Sequence, residues 1–267
     1  MPVVEARRLE PGTVLSPQEA KAYVNGLKDA LFDLADRKVT HCRFMEDLSN
    51  GTLPKEALRV FWLNWHGFVA EINNFIQVAY QRHLGFFKQH IDLLTPFADK
   101  VADELVHPRP PGHIEVVWRQ GEIFGLTRDE MIYYEMLPIC RALVEWQRGL
   151  TYEGTMLEFW ASILWEEFVG FWARQFREGL ARLGYTKEQA PYFTTHEEAD
   201  LEEHEGGVMA HGEFNRIVCE RLLSTGRVEC RPGFSPHYAA LTSIELFSMF
   251  HEAAYQASGA GKVLGFR

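Results

Sequence analysis

A chain of 267 residues with 46% hydrophobic and 13% aromatic residues, seven Trp and nineteen Phe among them, suits one domain with a large core and excludes a disordered polypeptide. The formal charge of −10 removes the Lys/Arg surplus that phosphate neutralisation needs, so neither nucleic acid nor an anionic membrane surface is an expected partner. Four scattered cysteines, an N-terminus without an apolar segment and the lack of an uncharged 18-residue run predict a cytoplasmic protein with reduced thiols and no membrane span.

After an irregular segment over residues 1–15, Ser16-Pro17 with Glu19 reads as a capping box that opens a helical run ending near Asn50-Gly51. Pro54 opens a second helix through about Arg82, and a loop is expected at 84–87. Pro108-Arg109-Pro110-Pro111-Gly112 is the strongest break, yet too short to link two domains. Thr127 with Glu130 and Thr186 with Gln189 make further capping boxes, a largely apolar helix is expected over Met156–Phe176, and Ser235-Pro236 opens the last helix. Strand and hairpin signals are nearly missing. The expectation is one all-α domain over 1–267, a bundle of about seven to eight helices with antiparallel neighbours.

Within this frame, the segment His196-Glu197-Glu198-Ala199-Asp200 through Glu203-His204 can present several ligands from one helix, because steps of four residues return to nearly the same face. A solvated acidic face with two exposed histidines would read the same way. Glu166 and Glu167 interrupt the apolar run from Phe159 to Trp172, and a buried carboxylate needs a cation or metal partner. Glu71 is an acid inside the apolar stretch Phe61–Phe75, and Glu104-Leu105-Val106-His107 repeats the Glu-x-x-His spacing of carboxylate-bridged metal bundles. His, Asp and Glu ligands together suit iron or manganese. His41, His66 and His113 read first as satisfied core or cavity residues, while His83, His90, His211, His237 and His251 form no pattern with acids. Phe61, Trp62, Trp65 and Phe68 read as core walls.

From His41 to about Tyr255 the chain resembles the haem-oxygenase-like superfamily, which includes thiaminase II, pyrroloquinoline quinone synthase and the haem-oxygenase-like di-iron oxidases. The likeness is carried by His41 with the following Gly51-x-Leu53-x-x-Glu56-x-Leu58, by Glu166 thirteen residues before Gly179-Leu180, and by Tyr192-Phe193-Thr-Thr-His196 followed by Asp200. Glu104-Leu-x-His107 and Glu166 with Gly170 and Trp172 are similar to the branch containing the 1-undecene-forming fatty-acid decarboxylase. The resemblance implies a haem-oxygenase-like fold and two irons per chain, held by Glu71, His107, Glu166, His196, Asp200 and His204, with Glu104 as a further mobile carboxylate. Relatives place the last His three residues after the Asp, where this chain has Glu203, so either Glu203 or, through a helix bulge, His204 fills that role. It further implies O2 as co-substrate, an external electron donor, a homodimer, and oxidation of a small carboxylate-bearing metabolite, an amino-acid derivative or fatty acid, in specialised biosynthesis. Tyr192 is an expected catalytic group, and Arg174, eight residues after Glu166, an expected carboxylate anchor. Two alternatives stay open: a metal-free oxidase or hydrolase of the same fold working through Tyr192, His196 and His113, and a non-catalytic helical protein holding a small ligand.

Overall fold

The computed structural model describes residues 9–107, 109–201, 209–226 and 229–259, and every regular element among them is helical, as expected. The Ser16 cap opens α1 (Pro17–Ala35) with both capping-box hydrogen bonds formed. The run does not continue unbroken to Asn50: a π-helical turn over Asp36–Thr40 intervenes before α2 (Arg43–Ser49). Next comes α3 (Lys55–Gln89), 35 residues and about 52 Å long. It runs straight through the loop expected at 84–87, because Phe86 and Phe87 are both buried and their packing outweighs the weak helix propensity of Gly85.

Beyond a sharp turn at His90 follow α4 (Ile91–Leu105), α5 (His113–Ile123), α6 (Arg128–Ile132) and α7 (Pro138–Glu153). The helix expected over Met156–Phe176 is two: α8 (Met156–Ser162) and α9 (Glu166–Arg182), separated by a turn at 163–165. The Thr186 capping box opens only a 3-10 turn, and α10 (Pro191–Leu201) starts after it. Then come α11 (His211–Ser224) and α12 (Pro236–Ala257). Among the described residues there are thus twelve α-helical segments rather than seven or eight, the surplus arising from breaks within expected runs.

The long helices form the bundle: α3 packs on α4, α7 and α12, α9 lies along α10, and α1 packs on α11 and α12. At its centre an aromatic column joins Phe44, Phe61, Trp65, Trp172, Phe176, Phe193 and Phe247. Trp62 and Phe68 are buried beside it, so the four expected wall residues are walls. Gly170 lets α9 and α10 approach: a Cβ there would stand 2.6 Å from Leu201 Cγ and 3.0 Å from Asp200 Cβ. This close approach seats Asp200 against α9.

Candidate metal centre

One face of α4 carries Lys100 and Glu104, four residues apart and both buried, with Asp103 beside them. After the Pro-rich break, Gly112 turns the chain at φ +78°, where a Cβ would collide with the Glu104 backbone. That turn sets His113, the first residue of α5, against the Glu104 side chain. Glu166 is the first residue of α9, and His211 is the first of α11. From α10, Tyr192, His196 and Asp200 project on one face at the expected four-residue spacing. Five helices thereby bring their side chains to one cavity.

The ligand-bearing atoms of Glu166, Asp200 and His211 all lie within 4.8 Å of one another. Two ligands about 2.1 Å from one ion stand about 3 to 4 Å apart, so separations would have to shrink by about 1 to 2 Å at most for all three to reach a common centre. His211 Nε2 lies 3.3 Å from Asp103 Oδ2, while its Nδ1 lies 3.5 Å from Asp200 Oδ1. An imidazole oriented by an outer carboxylate, with its second nitrogen facing the ligand cluster, is the common arrangement of metal-bound histidine.

His113 gives the sharper geometric sign. Its Nδ1 is 3.0 Å from Glu104 Oε2, yet the contact is not aligned as a hydrogen bond and the buried nitrogen has no other partner. Nitrogen and oxygen that are close but do not point at each other are placed as neighbouring ligands of one ion would be. His196 completes the group: Nδ1 donates to the Tyr192 carbonyl at 3.0 Å, which leaves the lone pair on Nε2, and its ring lies 4.9 Å from that of His113. The donor set, three imidazoles with Glu104, Glu166 and Asp200, fits an iron or manganese ion.

The electrostatics are those of densely paired buried charge. Burial would raise the Glu104 carboxyl, but the positive charge of His113, His211 and Lys100 around it wins and holds it well below the usual range. Burial lowers His113 and Glu104 raises it, with a net rise. Burial and Lys100 push His211 down, yet Asp103 and Asp200 lift it to about 9. His196, buried and next to His113, is pushed down to about 3 and stays neutral. Burial raises Asp200, and burial carries Tyr192 well above the phenol range, so its hydroxyl keeps its proton.

Of the residues singled out in the sequence, Glu104, Glu166, Tyr192, His196 and Asp200 line this cavity. Glu71 does not: it turns toward α7 and pairs with Arg148 at 2.8 Å. His107 is exposed, because α4 ends at Leu105 and the i, i+3 relation to Glu104 lapses with the helix. Arg174 is bound to Glu197 at 2.7 Å, away from the cavity, since eight residues leave it about 80° around α9 from Glu166. His204 and Glu203 lie outside the described residues. Glu166 and Glu167 both have the cationic partners that burial requires: Lys100 for Glu166, Lys28 and Arg216 for Glu167. Sequence reasoning missed His211, Lys100 and Asp103, and placed His113 only in the metal-free alternative, not among the metal ligands. His113 and His211 are first residues of their helices, so no periodicity within a helix marks them, though the Gly112-His113 pair after the proline run is a signal in hindsight.

Apart from Gln147, the rest of the cavity lining is apolar or aromatic. The cavity measures about 730 Å³ counted with its opening to solvent, and its walls include Phe68, Ile72, Phe75, Ile76, Phe159 and Val169. None of the four cysteines lines it. Cys140 instead points at the Phe250 carbonyl, 3.8 Å away, with its thiol pushed up by burial.

The fold itself is known from crystal structures. A TenA homologue from Pseudomonas syringae pv. tomato superposes with a TM-score of 0.67 at 14% identity, covering 94% of this chain and 98% of that one. A domain of unknown function with a heme oxygenase-like fold from Shewanella denitrificans gives 0.65 at 14% identity over 91% and 98%. A TenA homologue from P. horikoshii gives 0.53 at 15% identity over 86% and 98%. The chain therefore has the haem-oxygenase-like fold, as the resemblance implied. No protein-family model matches the chain, and no curated protein matches it in sequence.

Proposed function

We propose that the chain is a non-haem iron oxidase or oxygenase acting with O2 on a small substrate that has an apolar body. The observation that carries the reading is the clustering of ligand atoms of Glu166, Asp200 and His211 within 4.8 Å of one another, with the His113–Glu104 pair lining the same cavity. Glu104, His113, Glu166, His196, Asp200 and His211 would hold the metal. When bound and reduced by an external donor, iron supplies the O2 chemistry that side chains lack. The chain's own residues do the rest. Asp103 orients His211, the Tyr192 carbonyl orients His196, and Asn215 donates to Glu166 at 2.9 Å. Phe75, Ile76 and Phe159 accept the apolar part of the substrate and exclude water from the reacting end. The Tyr192 hydroxyl, held protonated, can donate a hydrogen bond to a polar group placed there. A carboxylate on the substrate would meet Lys100 rather than Arg174, which Glu197 already engages.

A second reading has one observation in its favour. The charges also pair without a metal, as Lys100 with Glu166, His113 with Glu104 and His211 with Asp103, which would serve an acid–base enzyme working through Tyr192, His196 and His113. A cysteine-dependent hydrolase lacks this support, since no thiol reaches the cavity. Metal content separates the two. Anaerobic Fe(II) titration of wild type, His113→Ala and Asp200→Ala should show micromolar or tighter binding in the wild type, at least tenfold weaker binding in both variants, and an optical change on O2 exposure in the wild type alone. A wild type that fails to bind iron overturns the oxidase reading in favour of acid–base chemistry.

A further inference from the structure

Lys100 is unusual company for metal ligands. Its side chain is 2% exposed, and its ammonium contacts Glu166 Oε2, the same oxygen that receives the Asn215 amide. It is one helical turn from Glu104 on α4, and its charge is felt by Glu104, Asp200 and His211 alike. A buried ammonium is costly unless anions surround it, and here the surrounding anions are themselves the candidate ligands. The amine is thus an internal cation of the cluster rather than a bystander.

Charge counting shows the consequence. Asp103, Glu104, Glu166 and Asp200 bring four negative charges, and Lys100 brings one positive charge. With neutral imidazoles, one divalent ion leaves the buried group at −1. Two divalent ions leave it at +1, whereas without Lys100 two would leave it neutral. At contact distances in a largely buried site that single charge weighs heavily, and Glu166 could serve two ions only through both of its oxygens, of which the ammonium already holds Oε2.

Resting on the metal reading of this cluster, we propose that Lys100 fills one cation position of the centre, so that the chain binds one divalent ion tightly and a second only when the ammonium is displaced from Glu166. Binding of the second ion is then coupled to a side-chain movement at α4, next to the apolar substrate cavity that Lys100 also lines. A substrate anion that draws the ammonium away would loosen this block.

Anaerobic calorimetric titration with Fe(II), and with Mn(II) followed by electron paramagnetic resonance, tests the assignment through stoichiometry rather than activity. Wild type should take one tight equivalent. Lys100→Met and Lys100→Gln should take two, the second at least tenfold tighter than in wild type, and Lys100→Arg should return to one. Two tight equivalents in wild type, or a single equivalent in both wild type and the neutral variants, would overturn the role of Lys100 while leaving an iron centre in place. No tight equivalent in wild type would instead overturn the metal reading on which the proposal stands. Should Lys100→Met fail to fold, Lys100→Gln, which keeps hydrogen-bonding capacity toward Glu166, and the wild-type stoichiometry still decide.

Discussion

His251 offers a quantitative test of how the core is held together. Its ring is fully buried between Phe61, Trp172 and Phe247. Nδ1–H donates to the Phe247 carbonyl at 2.8 Å, so Nε2 must accept, and it accepts the Trp172 indole N–H at 3.0 Å. Protonation would set one N–H against another and bury a charge without a counter-ion, and burial accordingly pushes the group down from 6.5 to about 4. A histidine whose folded pKa is depressed contributes stability in full above its unfolded value, near 6.5, and loses it as pH falls toward the folded value. At about 1.4 kcal/mol per pH unit, the fall from 6.5 to 4 costs about 3 kcal/mol, flattening below pH 4. His251→Gln keeps an acceptor for Trp172 but cannot be protonated. Urea unfolding of chelator-treated wild type and variant at several pH values between 7.5 and 4 should show the variant less stable at neutral pH and the gap shrinking by about 3 kcal/mol on acidification. A gap that stays constant with pH would refute the tautomer and the buried neutral state together.

Other expectations follow from the same geometry. Gly170→Ala places a Cβ against Leu201 and Asp200 and should cost about 1 to 3 kcal/mol by thermal or urea unfolding, with weaker metal binding because Asp200 is displaced. His211→Ala should cut metal affinity at least tenfold, and Asp103→Asn by a smaller factor, since Asp103 only orients the ring; equal losses would contradict that division. Glu71→Gln should leave metal stoichiometry unchanged while loosening the contact with Arg148, whereas a lost equivalent would return Glu71 to the ligand set. Cys140→Ala should keep metal binding and O2 consumption, and abolished activity would revive a thiol mechanism.

What could be read from the sequence and what could not divide along a physical line. Periodic features came through: helical content, the Ser16 cap, the aromatic walls, and the Tyr192, His196, Asp200 face of α10 all depend on spacing within one element. Glu166 was found because it is an acid set in an apolar run, and Glu104 through its Glu-x-x-His spacing to His107, although the structure does not keep that pairing. Features that depend on where elements stop did not come through. His107 satisfies the Glu-x-x-His spacing on paper, but the spacing has meaning only while the helix lasts, and α4 ends two residues too soon. Glu71 shares its apolar context with true cavity residues, yet its angle around α3 turns it to Arg148, an arrangement set by the neighbouring α7.

The deeper reason is that this candidate centre is assembled largely from helix beginnings. His113, Glu166 and His211 each occupy the first helical position of α5, α9 and α11, and His113 and Glu166 arrive there after a described turn of the chain. A first-turn position shares a face only with residues that follow it, and none of the three has a His or an acid three or four residues on, so a rule built on those steps does not select it. It does have a fixed place in space, because the turn before it and the packing of the helix after it both constrain it. For Glu166 the unpaired N–H groups of α9 also favour the carboxylate charge. Three helix starts meeting two helix faces, Lys100–Glu104 on α4 and His196–Asp200 on α10, form a cluster whose members are spread over more than a hundred residues. Moving any one of those helices along its axis would separate its candidate ligand from the rest. Variants that disturb the turns, at Gly112 or at residues 163–165, are therefore expected to impair metal binding as severely as loss of a ligand, even though no ligand is altered.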